Sequence, residues 1–198
     1  MGIDNAKNGK LLYHLIELKN LESIVRLGLV PRKVLLENEV KFEDVANPEI
    51  IIKRQELGLS EYIPFHFHPY TAFDVAVKNQ HMGEEMIYIC IQRELARENN
   101  FKILPKHPLS LTSYQLYDYD EGFNLIDWEI MTKVGLTDDH AKRIKMAECL
   151  SDRVIPVRAF KCFYVSSELV KIYVESVLHK CGVNFPPPFV NIMPQWFA

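Results

Sequence analysis

Apolar residues recur along this chain in two rhythms, short continuous runs and three-to-four spacings, and the changes between them mark the elements. Leu11 to Ile16 is a run with aromatic and branched members and predicts a buried strand. Asn20 then stands as an N-cap, with Leu21, Ile24, Val25 and Leu27 on one helical face and Gly28 as the stop. Residues 32–60 are charged with little periodicity and predict a loop with short helical pieces, a length that usually signals function or mobility. Tyr62 to Phe67 predicts a strand, with Pro64 placing it at an edge or a bulge.

Ala72 to Asn79 predicts a helix, and the wholly apolar Met86 to Ile91 the clearest central strand. A helix over Gln92 to Asn99 and a strand over Phe101 to Leu104 follow, then short helices around Trp128. Helical pattern returns from His140 to Ala147. Arg153 to Val157 and Phe160 to Val165 predict strands, and Ser166 caps a helix carrying Leu169, Ile172, Tyr173 and Val177 that ends at Gly182. Three prolines at 186–188 introduce a last strand, Phe189 to Met193. Strands and helices mix without a repeated βαβ rhythm, so the class is α+β. With 198 residues and no repeat or linker, a single domain over residues 1–198 is expected.

Composition narrows the function. Hydrophobic residues make up 48% and charged residues 25%, which excludes a disordered or fibrous chain. The formal charge of -3 excludes a bulk nucleic-acid coat but leaves room for a local basic groove. No apolar run approaches the roughly 20 residues that span a bilayer, and Met1 to Lys10 is too polar for a secretory leader, so no membrane partner is expected. Cys90, Cys149, Cys162 and Cys181 lack metal or redox spacing and predict reduced thiols in a cytoplasm.

The usual phosphate-loop, dinucleotide, serine-hydrolase and zinc-protease motifs are missing. What remains is less generic. His14 lies in the first strand, either as a core histidine or as a ligand-facing one at the mouth of a cleft. His66 and His68 alternate along a strand, but no third ligand is placed by the sequence, so no metal is expected. With Phe65, Phe67 and Tyr70 nearby, His66 fits either a polar edge or a base-stacking surface. Arg54 lies in the irregular stretch, where an arginine is ordinarily solvated.

Glu148 stands between Met146-Ala147 and Cys149-Leu150, where an unpaired carboxylate is costly; the alternative is a partly exposed glutamate ending a helix. From Lys142 to Lys161 there are six basic residues, Lys145 and Arg153 among them, against two acids. From Asp118 to Asp139 there are seven acids against one base. The small net charge thus hides a dipole whose positive half surrounds Glu148, either a solvated face or a phosphate-attracting patch.

Taken in order, Tyr13-His14-Leu15 with Asn20-Leu21 and Gly28-Leu29, Tyr62-Ile63-Pro64-Phe65-His66-Phe67 with Pro69, and Ala147-Glu148-Cys149-Leu150 with Val154-Ile155-Pro156 form a set. With the closing Ile192 to Phe197, this set resembles the DarT family of toxin ADP-ribosyltransferases, which modify bases in single-stranded DNA using NAD. The resemblance implies an ADP-ribosyltransferase fold, a split mixed β-sheet core with flanking helices and an NAD cleft. It implies Glu148 and Arg54 as catalytic, and His14, Leu15, Ile16, Asn20, Leu29 and Arg54 as NAD-binding. Phe65, His66, Tyr70, Lys145 and Arg153 are the expected contacts to nucleic acid.

Single-stranded DNA is the favoured acceptor over RNA, an antitoxin protein the expected partner, and NAD the only cofactor, consumed as a substrate. NAD hydrolysis, or a non-catalytic module that binds nucleic acid or NAD, are the alternatives. The chain departs from the family pattern at Ile16, at Met146 and over Tyr70 to Phe73, all positions near NAD or the acceptor.

Overall fold

The computed structural model describes residues 5–107, 114–136, 138–184 and 186–197. Its sheet grows from two strands of seven residues each. Strand β1 (Leu11–Glu17) pairs antiparallel along its whole length with a later strand, Met86–Gln92, from Leu11↔Gln92 to Glu17↔Met86. Between them the chain forms α1 (Leu21–Leu27), α2 (Arg32–Glu37), α3 (Pro48–Glu56), β2 (Ile63–His66) and α4 (Ala72–Gln80), so Met86–Gln92 is β3. The charged stretch 32–60 is thus short helical pieces in irregular chain, in line with its weak periodicity.

After β3 come α5 (Arg93–Glu98), β4 (Lys102–Leu104), α6 (Tyr119–Leu125), α7 (Trp128–Thr132) and α8 (Asp139–Lys145). The chain closes with β5 (Glu148–Ser151), β6 (Cys162–Val165), α9 (Glu168–Lys180) and β7 (Phe189–Ile192). The sheet order is β4-β5-β2-β1-β3-β6-β7, and only the β6–β7 pair is parallel. Mixed pairing beside nine described helices makes the α+β class plain.

Alternation along the strands sorts two cores. Leu12, Ile16, Ile87, Ile89, Ile91, Phe163 and Val165 face a large core that α9 closes with Val170, Val174 and Val177. Tyr13, Leu15, Met86, Tyr88, Cys90 and Cys162 face the other way and are covered by Trp196 near the C-terminus. Because β3 is buried on both faces, its sequence is apolar throughout.

The sheet is split at one seam. β1 meets β2 through the single pair Tyr13↔His66, whereas β2 and β5 pair over four positions, from Ile63↔Ser151 to His66↔Glu148. Pro64 therefore lies in an internal strand rather than at an edge. Its missing N–H falls on the seam: a residue's N–H and C=O leave a strand on the same side, and the Pro64 carbonyl accepts from His14 Nδ1 at 2.7 Å.

Other expectations need correction. Arg153 to Val157 forms no strand; only Ile155 pairs, in a bridge to Leu29. The helix before Glu148 stops at Lys145, and Glu148 opens a strand instead of ending a helix. Ser167, not Ser166, caps α9, because the Ser166 hydroxyl donates to Glu85. Asn20 occupies the N-cap position of α1 without capping it, since its amide is engaged elsewhere.

Gly28 has a positive φ of 86°, and a Cβ there would lie 2.6 Å from the Ile155 carbonyl oxygen. Both the left-handed backbone and the Leu29–Ile155 bridge require glycine. Gly28→Ala is expected to lower unfolding free energy by about 1–3 kcal/mol. Urea denaturation checks this, and an unchanged midpoint would refute the close approach.

Candidate active site

The cleft opens at the seam, lined by residues of both cores (Ile16 and Leu29 of the large one, Leu15 of the other), with its acidic group on the face away from the large core. In β5, Glu148 and Leu150 point to that face while Cys149 points into the core, so a one-residue slip would bury Glu148 among hydrocarbons. His66, directly opposite Glu148 in register, shares its face. The cleft holds about 1300 Å³ of space, its open mouth included. One end is polar, with Arg54, His66, His107 and Glu148; the other is walled by Ile24, Leu29, Val40, Phe42 and Val45.

Arg54 sits in the last turn of α3, placed there by a helix that Asn47 caps and Pro48 starts. Its Nη1 donates to both oxygens of Glu148, at 2.8 and 2.9 Å. The Glu148 side chain is 3% exposed and that of Arg54 13%. Arg54 Nη2 is also buried, and finds no hydrogen-bond partner among the described residues. His107 Nε2 lies 3.6 Å from Glu148 Oε1, too far for a hydrogen bond but close enough to sense its charge.

Burial pushes the Glu148 carboxyl up, but the charge of Arg54, with lesser help from His107 and His66, outweighs it and holds the carboxyl below its usual range. Burial lowers His107 to about 4 despite the pull of Glu148. It also lowers His14 to about 4, although the bond to Pro64 opposes this. His14 Nδ1 faces that carbonyl, so as a neutral ring it donates there and turns an unprotonated Nε2 elsewhere.

The structure brings Glu148, Arg54, His14, Leu15, Ile16, Asn20, Leu29 and His66 together around one cleft. Asn20 reaches it with its amide tied to the backbone of Glu43. Four expected nucleic-acid contacts lie elsewhere. Phe65 is fully buried in the large core, because the strand turns it away from Glu148's face. Lys145 donates to the Lys133 and Leu136 carbonyls, which ties α8 to the preceding loop. Arg153 lies past the far end of β5 beside Asp152. Tyr70 is half-exposed outside the cleft, under the Lys78 ammonium at 4.2 Å.

His68 turns both ring nitrogens towards carbonyl oxygens, of Pro69 and Lys145, so neither is aimed at a site shared with His66. Among the described residues no three His, Cys, Asp or Glu side chains are grouped to hold a metal. Sequence reasoning missed His107 and Ser60, which line the cleft, as does Phe73 from the stretch that departs from the family pattern. His107 follows β4 just after Pro105-Lys106, and an isolated loop histidine carries no local signal of the strand beside it.

Comparison with known proteins places this geometry. Thermus sp. 2.9 DarT in complex with ADP-ribosylated ssDNA superposes with a TM-score of 0.84 at 20% identity, over 96% of this chain and 97% of that one. Thermus sp. 2.9 DarT in complex with NAD+ gives 0.78 at 19% identity, over 96% and 98%. Thermosipho africanus DarTG in complex with ADP-ribose gives 0.79 at 19%, over 96% of this chain and 51% of that one. No curated protein sequence matches. The fold is therefore that of an ADP-ribosyltransferase. The family model for "ssDNA thymidine ADP-ribosyltransferase, DarT" matches residues 13–198, and the chain belongs to that family of NAD-dependent enzymes.

With His14 and His107 near 4 against an ordinary 6.5, the folded protein binds fewer protons than the unfolded chain between those values. Stability is then greatest above about pH 6.5 and falls as pH drops through this window. The lowered Glu148 carboxyl extends the loss below its ordinary value of 4.5. Urea unfolding at pH 5 is expected to show about 1–2 kcal/mol less stability per histidine than at pH 7. A His14→Gln/His107→Gln variant should lose that difference; equal wild-type stability at both pH values would contradict the burial argument.

Proposed function

We propose that the cleft binds NAD with its nicotinamide ribose at the Glu148 end, and that Glu148 and Arg54 transfer ADP-ribose to a thymine base of single-stranded DNA. The observation that carries this reading is the Arg54–Glu148 pair: a buried carboxylate gripped by one guanidinium nitrogen while the second nitrogen has no partner among the described residues. A phosphate or ribose oxygen would satisfy that nitrogen, and arginine suits such oxygens better than lysine because its donors form a fixed fork. The apolar far end suits an adenine ring, with Leu29 on its wall, while His14, Leu15 and Ile16 line the nicotinamide side, where His14 senses the charges of His66 and Arg54.

The chemistry needs these residue types. As the bond from ribose C1′ to nicotinamide breaks, nicotinamide leaves with the electron pair and positive charge builds on the ribose ring. A pre-held carboxylate beside that ring stabilises the charge, as in glycosidases. The acceptor nitrogen loses its proton to solvent water as it bonds to C1′. The Arg54 guanidinium offers donors and no acceptor, so it assists by stabilising the anionic nitrogen rather than by taking the proton. His66, across from Glu148, is the residue of the expected nucleic-acid set that lines the cleft.

The same reading gives the protein its setting: a toxin acting in the cytoplasm as a single domain, held in check by an antitoxin protein. Free thiols at all four cysteines suit a reducing compartment, and likeness to half of a DarTG chain supports the partner. Among the described residues no helix is long and apolar enough to cross a membrane.

The test is transfer of label from NAD to single-stranded DNA and, in parallel, to RNA. Label on DNA is expected, with Glu148→Ala or Arg54→Ala lowering the rate by about 10²–10³ or more. Label on RNA alone would move the acceptor, loss of nicotinamide without label would mean hydrolysis, and full activity of folded Glu148→Ala would remove the proposed role.

A further inference from the structure

Residues 38–47 run between α2 and α3 without regular structure, yet they supply much of the cleft's apolar wall: Val40, Phe42, Val45 and Ala46. Two side chains outside the segment hold it there. The Asn20 amide pairs with the Glu43 backbone as a strand would, Nδ2 donating to the carbonyl at 2.7 Å and Oδ1 accepting from the N–H at 2.8 Å. Arg32 Nε donates to Asp44 Oδ2 at 2.6 Å, with its guanidinium 5.9 Å from the Phe42 ring centre. Asp44 Oδ1 meanwhile accepts from the Ala46 N–H, so the ion pair acts on the backbone as well.

The segment is thin. Behind it lies a second, open hollow of about 850 Å³ lined by Lys19, Leu36, Lys41 and the outer side of the same strap. Space borders both sides of residues 40–43, and among the described residues only Val45 of the strap's apolar side chains packs against a core cluster, so little packing opposes its displacement. Its first turn holds Glu39 in the left-handed region at a φ of 54°, and its last residue, Asn47, caps α3. A strained residue at one end and a firm helix start at the other delimit a hinged element.

We propose that residues 38–47 are a movable strap over the NAD cleft, and that Asn20 and Arg32 are positioning residues that latch it closed. This rests on the reading of the cleft as the NAD site. Asn20 then acts through Glu43 rather than as a direct ligand, which differs from the role implied by resemblance. Its contribution is to the shape of the wall that NAD meets, and so to NAD affinity more than to the chemical step. The Arg32–Asp44 pair does the same work from the other side of the strap, which makes the two latches partly redundant.

Hydrogen exchange on the full chain without NAD, together with NAD-dependent transfer kinetics, tests this on Asn20→Ala and Asp44→Asn. Each variant is expected to speed exchange of backbone amides in residues 38–47, and to raise KM for NAD about five- to tenfold with kcat moving less than about twofold. The double variant should raise KM more than either alone. A raised KM with unchanged exchange would overturn the proposal and make Asn20 a direct ligand. Faster exchange with unchanged KM would also overturn it, because the strap would not shape the site. If Asn20→Ala fails to fold, Asp44→Asn reads the other latch by the same measures. Failure of the NAD reading itself would show separately, as a wild-type chain without NAD binding by calorimetry.

Discussion

A carboxylate at the head of an internal strand is tolerable only if something answers its charge, and in this protein that answer comes from 94 residues away. Arg54 on α3 reaches Glu148 on β5 and grips both of its oxygens. The Coulombic attraction outweighs burial and holds the Glu148 carboxyl below its usual range in a cleft that is mostly hydrocarbon. Everything around the site serves this constraint. α3 must be capped and oriented, β5 must keep its register against β2, and the sheet must open just where the two meet.

The opening follows from strand geometry. β1 and β3 form a long, regular ladder, but β1 touches β2 at a single residue pair. Pro64 contributes by offering no N–H at the seam, and His14 takes the carbonyl that a continuous ladder would have used. A sheet closed along its full width would leave no room for a dinucleotide. A sheet fully parted would lose the register that sets His66 opposite Glu148. One pair holds the halves together while leaving a cleft between their faces.

Two cations of the basic stretch read from the chain are engaged away from the cleft. Lys145 turns its ammonium to backbone carbonyls and Arg153 stands beside Asp152, so neither is directed at the cleft. Charge counts along a chain cannot tell a cation that meets a phosphate from one that satisfies a nearby carbonyl. Phe65 shows the same limit for aromatics: in a strand, adjacent residues point to opposite faces, and only the pairing partner reveals which face is the working one.

Much of the architecture was legible because it depends on local pattern: the apolar runs of β1 and β3, the helical faces of α1 and α9, and the caps that delimit them. The motif order around His14, Pro64 and Glu148 likewise identified the family, since those positions are set by chemistry that spacing preserves. β5 escaped notice because four residues opening on a glutamate carry too short a period to distinguish a strand from a helix end. His107 and the Asn20–Glu43 clamp escaped for another reason: contacts between distant segments leave no periodic trace. By itself the sequence determined which residues are apolar enough to build each element and which polar groups the reaction requires. Tertiary structure alone decided which of those polar groups share a face, because that depends on strand register and helix placement across long loops.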